Sequence, residues 1–291
     1  MFGSLKSLDS EIDSFLFDFY ELSFKSLLAL TFPRNEAYRY LTLADYITGN
    51  LNPNQRVSVS ERLKSYTENI APFLKYRPLL EFLKKTPNPS KEILDFGCAS
   101  GISSRWLFKM LKAKRLYGVD TDSSVLPRNI AKLAKKFLWV NSLTEINNPS
   151  EQIDLITIVH TLHHLTTNTR AIILNDIHEI LNEHGLIYVL EDSLDDILNK
   201  VMRTNHFDQS YHSFDNRKRK QVLLRNDYWS NSWTYGRELD SNVELYHSSP
   251  EWRETLVSIG FEVLEYGFSG FDPMRLHGVP STWIIARKRE Q

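Results

Sequence analysis

The run most suggestive of chemistry is an acid at the end of a short apolar segment followed by a turn of small residues. Ile93-Leu94-Asp95-Phe96 leads into Gly97-Cys98-Ala99-Ser100-Gly101. Small side chains let a bound molecule approach the backbone closely, and free amides at the start of a following helix attract negative groups such as a carboxylate. A second acid, Asp120, ends the next apolar run, Leu116-Tyr117-Gly118-Val119, nineteen residues beyond Gly101. At that separation a strand-end carboxylate can hold ribose hydroxyls. Thr121 and Asp122 follow, and a helix N-cap is the alternative for Asp120 or Asp122. Further along, Asp154–Val159 runs into His160-Thr161-Leu162-His163-His164-Leu165. His160 is expected at the carboxyl end of a strand, as a general base or as a contact to a cofactor. His163 is the second catalytic candidate; for it and His164, packing and hydrogen bonding under the sheet rim is the alternative.

These residues need a frame that brings strand ends together. From Lys91 the chain alternates short apolar strands with amphipathic helices: strands at Ile93–Phe96, Leu116–Val119, Phe137–Val140, Leu155–Val159 and Leu186–Leu190, and helices at Arg105–Leu111, Val125–Lys135 and Ala171–Leu181. Alternation of this kind predicts a doubly wound, Rossmann-like α/β fold, a seven-stranded, mostly parallel sheet with helices on both faces. Leu181-Asn182-Glu183-His184-Gly185 reads as a helix end closed by a left-handed glycine. Ser249-Pro250-Glu251-Trp252 reads as a cap, a proline at the first helical position and an early acid, with Gly260 ending that helix before strands Phe261–Tyr266 and Thr282–Ala286. Residues 1–87 read as a helical extension, with Leu16, Phe19, Tyr20, Phe24, Leu27 and Leu28 at helical spacing and further periodic stretches near Glu36–Tyr46 and Ser60–Leu74, interrupted at Asn50–Asn54. Residues 88–291 form the expected main domain, with the polar, aromatic and basic insert 193–248 as a substrate lid.

The glycine-rich turn resembles the signature acid-x-Gly-x-Gly-x-Gly of class I S-adenosylmethionine-dependent methyltransferases, with Ala99 in place of the middle glycine. The rival dinucleotide-binding fingerprint requires its third glycine at position 102, which is Ile102. Gly118-Val119-Asp120-Thr121-Asp122 resembles the family's Gly-x-Asp-x-Ser/Asp element, which makes Asp120 the ribose ligand. Val140-Asn141-Ser142-Leu143 falls where the family has an aspartate facing the adenine amino group, so Asn141 or Ser142 is the expected contact, a plain turn being the alternative. Asp154–Leu165 looks like the Asp-Leu-…-Leu-His-His-Leu element of the small-molecule branch. The resemblance covers about Lys91–Asp192 and Ser249–Arg287. It implies S-adenosylmethionine as cofactor, held by Asp95, Gly97, Cys98, Ala99, Gly101, Asp120, Thr121, Asn141, Ser142 and His160.

Composition narrows the partners. The chain has 291 residues, 42% of them hydrophobic, with 35 Lys and Arg against 36 acids. A net charge of -1 supplies no global attraction to nucleic acid or to an anionic membrane. The single cysteine, Cys98, excludes an internal disulfide and a structural thiolate zinc site, and suits a reducing, cytoplasmic setting. The longest apolar stretch, Leu27–Phe32, is far shorter than a membrane span. No metal is expected, although Glu191 and Asp192 end the fifth strand together. The expected acceptor is an aromatic or lipid-like small molecule, met by Tyr211, His212, Phe214, Trp229, Trp233 and Tyr235, with Arg275 and His277 at the rim. RNA is the alternative, through Arg217-Lys218-Arg219-Lys220 and Arg225 beside aromatic residues. A catalytically idle, cofactor-binding interaction subunit is the third reading.

Overall fold

The computed structural model describes residues 10–32, 38, 40–86, 92–120, 137–140, 142–146, 153–195, 205–235, 246–275 and 278–289. Its helices are α1 (Ser10–Thr31), α2 (Leu43–Thr48), α3 (Pro53–Ser65), α4 (Ala71–Leu83), α5 (Ile102–Leu111), α6 (Thr167–Ile180), α7 (His206–Ser213), α8 (Asn216–Tyr235) and α9 (Ser249–Ile259). The strands are β1 (Glu92–Phe96), β2 (Arg115–Val119), β3 (Phe137–Val140), β4 (Ile153–Val159), β5 (Leu181–Asp192), β6 (Phe261–Ser269) and β7 (Ser281–Lys288). The expected helix Val125–Lys135 lies outside the described residues. The chain divides into two compact units, one of Met1–Tyr66, Asp196–Ser241 and Ser269–Pro280, the other of Thr67–Asp195, Asn242–Phe268 and Ser281–Gln291.

The second unit is the doubly wound sheet, ordered β3-β2-β1-β4-β5-β7-β6. The pairs β1–β2, β2–β3, β1–β4 and β4–β5 are parallel and β5–β7 antiparallel. Successive side chains point to opposite faces, and both faces are apolar. Leu94, Ile156, Ile187 and Val189 pack with Leu174 and Ile177 of α6 and Trp252 and Leu256 of α9. Ile93, Leu155 and Tyr188 pack with Tyr76 and Leu79 of α4 and Leu107 of α5.

Two local expectations require correction. The helix before β5 ends at Ile180, and Leu181 is already extended (φ −72°, ψ 134°), so no left-handed glycine closes it. β5 instead begins with a bulge: Leu181 pairs with Ile153 and Leu186 with Leu155. Gly185 is needed because a Cβ there would meet Leu181 Cδ1 at 2.7 Å. At α9 the cap is Ser248 rather than Ser249. The Glu251 carboxylate accepts from the Ser248 amide and hydroxyl, both at 2.7 Å. Ser249 is already engaged with Asp195.

In the first unit, α1 buries Leu16, Phe19, Tyr20, Phe24, Leu27 and Leu28, the residues at helical spacing. Phe15 lies edge-on to Phe207, Phe214 and Phe271, with centroids 5.3–5.5 Å apart. The Tyr20 hydroxyl donates to Asn226 Oδ1 of α8 at 2.6 Å. The N-terminal helix and the insert therefore share one core. Asn52 and Pro53, within the predicted break, cap and open α3, and a π turn at Tyr66–Ile70 divides the stretch Ser60–Leu74.

The end of β5 is tied down where the chain leaves at Asp195 and returns at Tyr246. Ser193 bridges to His247, and the Leu194 amide donates to the His247 carbonyl at 3.2 Å. The buried Asp195 carboxylate accepts from the Ser193 hydroxyl at 2.8 Å and the Ser249 amide at 2.7 Å, and from the Ser249 hydroxyl. Asp195→Ala strands these buried donors and is expected to cost about 3 kcal/mol in urea unfolding; a loss under about 1 kcal/mol would show that the junction holds without it.

Candidate functional site

The carboxyl edge of the sheet gathers Gly97, Ala99, Gly101 and His160, four of the described residues with positive φ, at 74°, 44°, 67° and 52°. For the glycines this is free; for Ala99 and His160 it costs on the order of 1 kcal/mol each. The amides of Gly97 and Cys98 both donate to the Val119 carbonyl, at 2.8 and 3.2 Å, and the Gly101 amide donates to the Cys98 carbonyl at 2.8 Å. The loop thus folds back over the end of β2. Its Ala99 amide donates to Asp120 Oδ2 at 2.8 Å, so the acid ending β2 is set by the turn that ends β1.

Beneath the loop sits Asp95. In register it lies between Gly118 of β2 and Thr157 of β4. One carboxylate oxygen accepts from the Thr157 hydroxyl at 2.6 Å and the other from the Ser104 hydroxyl of α5. Burial pushes the Asp95 carboxyl up to about 6, although both hydroxyls oppose the shift. Burial, with Asp95 and Asp120 nearby, also drives the Cys98 thiol far above its ordinary range, so it is no nucleophile. Asp95 and Cys98 hold the loop from inside.

The other wall is the segment after β4. Gly97 is packed so tightly against it that a Cβ would stand 2.1 Å from Thr161 Oγ1. Glu191, fully buried at the end of β5, accepts from the amides of Thr161 (2.9 Å) and Leu162 (2.8 Å) with one oxygen and lies 2.6 Å from His163 Nδ1 with the other. Burial alone would raise its carboxyl, but His163, then His160 and the Thr161 amide, hold it below the ordinary value. The buried Arg170 donates to the carbonyls of Leu162 (3.2 Å) and Leu165 (3.3 Å) and lies over the Trp252 ring. His160 is placed differently: its side chain is 24% exposed against 1% for His163, and its Nδ1 stands 3.1 Å from Asp192 Oδ1.

The structure therefore brings Asp95, Gly97, Cys98, Ala99, Gly101, Asp120 and His160 to one edge. Ser142 opens the turn Leu143–Glu145 after β3, its hydroxyl 2.5 Å from that of Thr144. Thr121, Asn141 and His277 lie outside the described residues, as do the side chains of Trp233 and Tyr235. Tyr211 and Phe214 are core residues of the first unit. Glu191 and Asp192 face different histidines, His163 and His160. Sequence reasoning missed Ser104, Thr157, Thr161 and Arg170. Thr157, polar within the apolar run of β4, is the one that leaves a signal.

Fold and site together define an S-adenosylmethionine-dependent methyltransferase of the Rossmann-like class. Residues 66–266 match the methyltransferase domain family, and the chain belongs to that family. Among solved structures it is similar to a SAM-dependent methyltransferase from Anabaena variabilis ATCC 29413, at 15% identity over 75% of this chain and 86% of that one, with a TM-score of 0.51. A 1,6-didemethyltoxoflavin-N1-methyltransferase from Burkholderia thailandensis matches at 16% identity over 82% and 92%, TM-score 0.47. No curated protein matches the sequence. The residues fit the cofactor: Gly101, the N-cap of α5, has no side chain to cover the first amides of that helix, and Asp120 stands at the end of β2.

Two outcomes follow from this packing. Gly97→Ala should destabilise the fold by at least about 2 kcal/mol, from left-handed strain plus the Thr161 clash, and adding Thr161→Gly should recover part of it; equal loss in both variants would refute the contact. Asp95 titrates higher in the folded chain than its ordinary 3.8. Its penalty is absent below pH 4 and complete above about pH 6, so stability is lost as pH rises through that window. The difference in unfolding free energy between wild type and Asp95→Asn should change by roughly 3 kcal/mol across it, in favour of Asn at high pH. A pH-independent difference would refute the assignment.

Proposed function

We propose that this methyltransferase acts on an aromatic or lipid-like small-molecule acceptor, at an oxygen, nitrogen or carbon atom, and works in the cytoplasm. In this reading the turn Gly97–Gly101 holds the methionine end of S-adenosylmethionine, Asp120 accepts from the ribose hydroxyls, and Ser142 meets the adenine edge; the sequence resemblance adds Thr121 and Asn141. The cofactor supplies a methyl group on a sulfonium. The chain supplies position: Asp95 and Glu191 lock the two walls, and an in-line displacement depends chiefly on such alignment. His160 is the residue set to meet the acceptor, and His163, buried against Glu191, acts by holding the wall.

The observation that favours a small molecule over RNA is the engagement of the basic residues. Lys218 pairs with Glu11 at 2.5 Å, and Arg225 stands 3.7 Å from Asp13. Arg219 donates to the carbonyls of Tyr211 (3.2 Å) and His212 (2.6 Å), closing the end of α7. With Lys218 paired to an acid and Arg219 spent on a helix end, the run offers phosphates less than its sequence suggests. Supporting this further, the aromatic residues near it are packed: Tyr211 against Phe271, Phe214 against Phe15, and Trp229 against Tyr20.

The test is incubation with methyl-labelled cofactor and separated RNA, protein and small-molecule fractions. Label is expected in the small-molecule fraction; label in RNA, with binding that weakens steeply as salt rises, would overturn the acceptor class. Asp120→Ala is expected to weaken S-adenosylhomocysteine binding about 10–100-fold by calorimetry. Unchanged affinity would remove Asp120 from the ribose.

A further inference from the structure

We propose that Asp192 is a positioning residue that fixes His160 as a proton acceptor, so that the acceptor molecule is one whose attacking oxygen or nitrogen carries a proton lost on methylation. The inference rests on the reading given under Proposed function. β4 and β5 end side by side, Val159 opposite Leu190, which places the residues just beyond them together. The His160 amide donates to the Leu190 carbonyl at 2.8 Å, and its φ of 52° turns the residue out of the strand. A non-glycine residue keeps such a backbone where its surroundings over-determine it, a situation concentrated at functional sites.

Asp192 is built to face that ring. It pairs with Ser281 across β5 and β7, and Ser281 Oγ lies 3.5 Å from the same Oδ1 that stands 3.1 Å from His160 Nδ1. The Trp252 indole donates to the Asp192 carbonyl at 3.4 Å, anchoring the strand end. Charged groups that face His160 include Asp192 and, across the strand, Glu191. Glu191 is committed to His163 and to the Thr161 and Leu162 amides. One strand end thus supplies one carboxylate to each of two histidines, one sealed and one open.

A carboxylate charge 3.1 Å from Nδ1 favours the proton on that nitrogen and leaves the Nε2 lone pair as the base. When the acceptor atom bonds to the methyl carbon, the pair of the breaking C–S bond stays with sulfur and the acceptor's proton passes to Nε2. The resulting imidazolium lies beside Asp192. A thioether or tertiary amine acceptor has no proton to give and no use for this pair.

The first measurement needs no acceptor. In a long-range proton–nitrogen spectrum of the full chain labelled with 15N-histidine, assigned with His160→Gln, wild-type His160 is expected as the Nδ1–H tautomer. Asp192→Asn is expected to populate the Nε2–H form and to slow carbethoxylation of His160 by diethylpyrocarbonate at least about 3-fold, read by peptide mass. An Nε2–H tautomer in the wild type, or identical tautomers in both proteins, would overturn the pairing; the wild-type spectrum decides even where the variant fails to fold. On the labelled product the methyl group is expected on an oxygen or nitrogen that had carried a proton, with kcat for Asp192→Asn at least about 100-fold lower and KM within about 3-fold. A methylated thioether or tertiary amine would overturn the acceptor class. Calorimetry with S-adenosylhomocysteine separates the two readings: no binding to wild type refutes the cofactor site, whereas binding with the wrong tautomer refutes only the pair.

Discussion

Two consecutive segments and a strand 62 residues further on meet on the carboxylate of Asp95. The strand that carries it, the helix that supplies Ser104 and the neighbouring strand that supplies Thr157 cannot shift against one another without leaving a buried acid or a buried hydroxyl unsatisfied. The turn between β1 and α5 hangs from this joint, and through the Ala99 amide the turn sets Asp120. The protein accepts a carboxyl that resists ionisation in return for a rigid loop. Such expense is typical of a surface that must hold its shape for a ligand.

The second wall obeys the same logic with opposite electrostatics. Glu191 is as buried as Asp95, yet two amides and an imidazole converge on it and favour the charged form. The segment Thr161–His163 is therefore fixed by its backbone and does not rely on side-chain packing alone. Gly97 then fits against Thr161 with no room for another carbon. At the carboxyl edge of the sheet two independently braced loops touch.

Much of the fold could be read from the chain because a parallel sheet with both faces covered writes itself as apolar runs between amphipathic helices. Boundaries were harder. Gly185 looked like a helix terminator because glycine after a helix usually is one, but its role is to make room for Leu181 in a bulge, a cross-strand matter that local pattern cannot express. Ser249 looked like a cap because serine before proline usually is; Asp195, 54 residues away, claims it, and the cap moves to Ser248.

By itself the sequence determined the strand–turn–helix order, the small residues of the turn, the two acids at the strand ends and the histidines after β4, because these follow from residue types at short range. The tertiary structure decided what each does: that Asp95 is an interior tie, that one histidine is sealed against Glu191 while another stands open beside Asp192, and that N-terminal helix and insert share one core. Burial and pairing are properties of segments brought together from distant positions, and no local spacing encodes which donor reaches which acid.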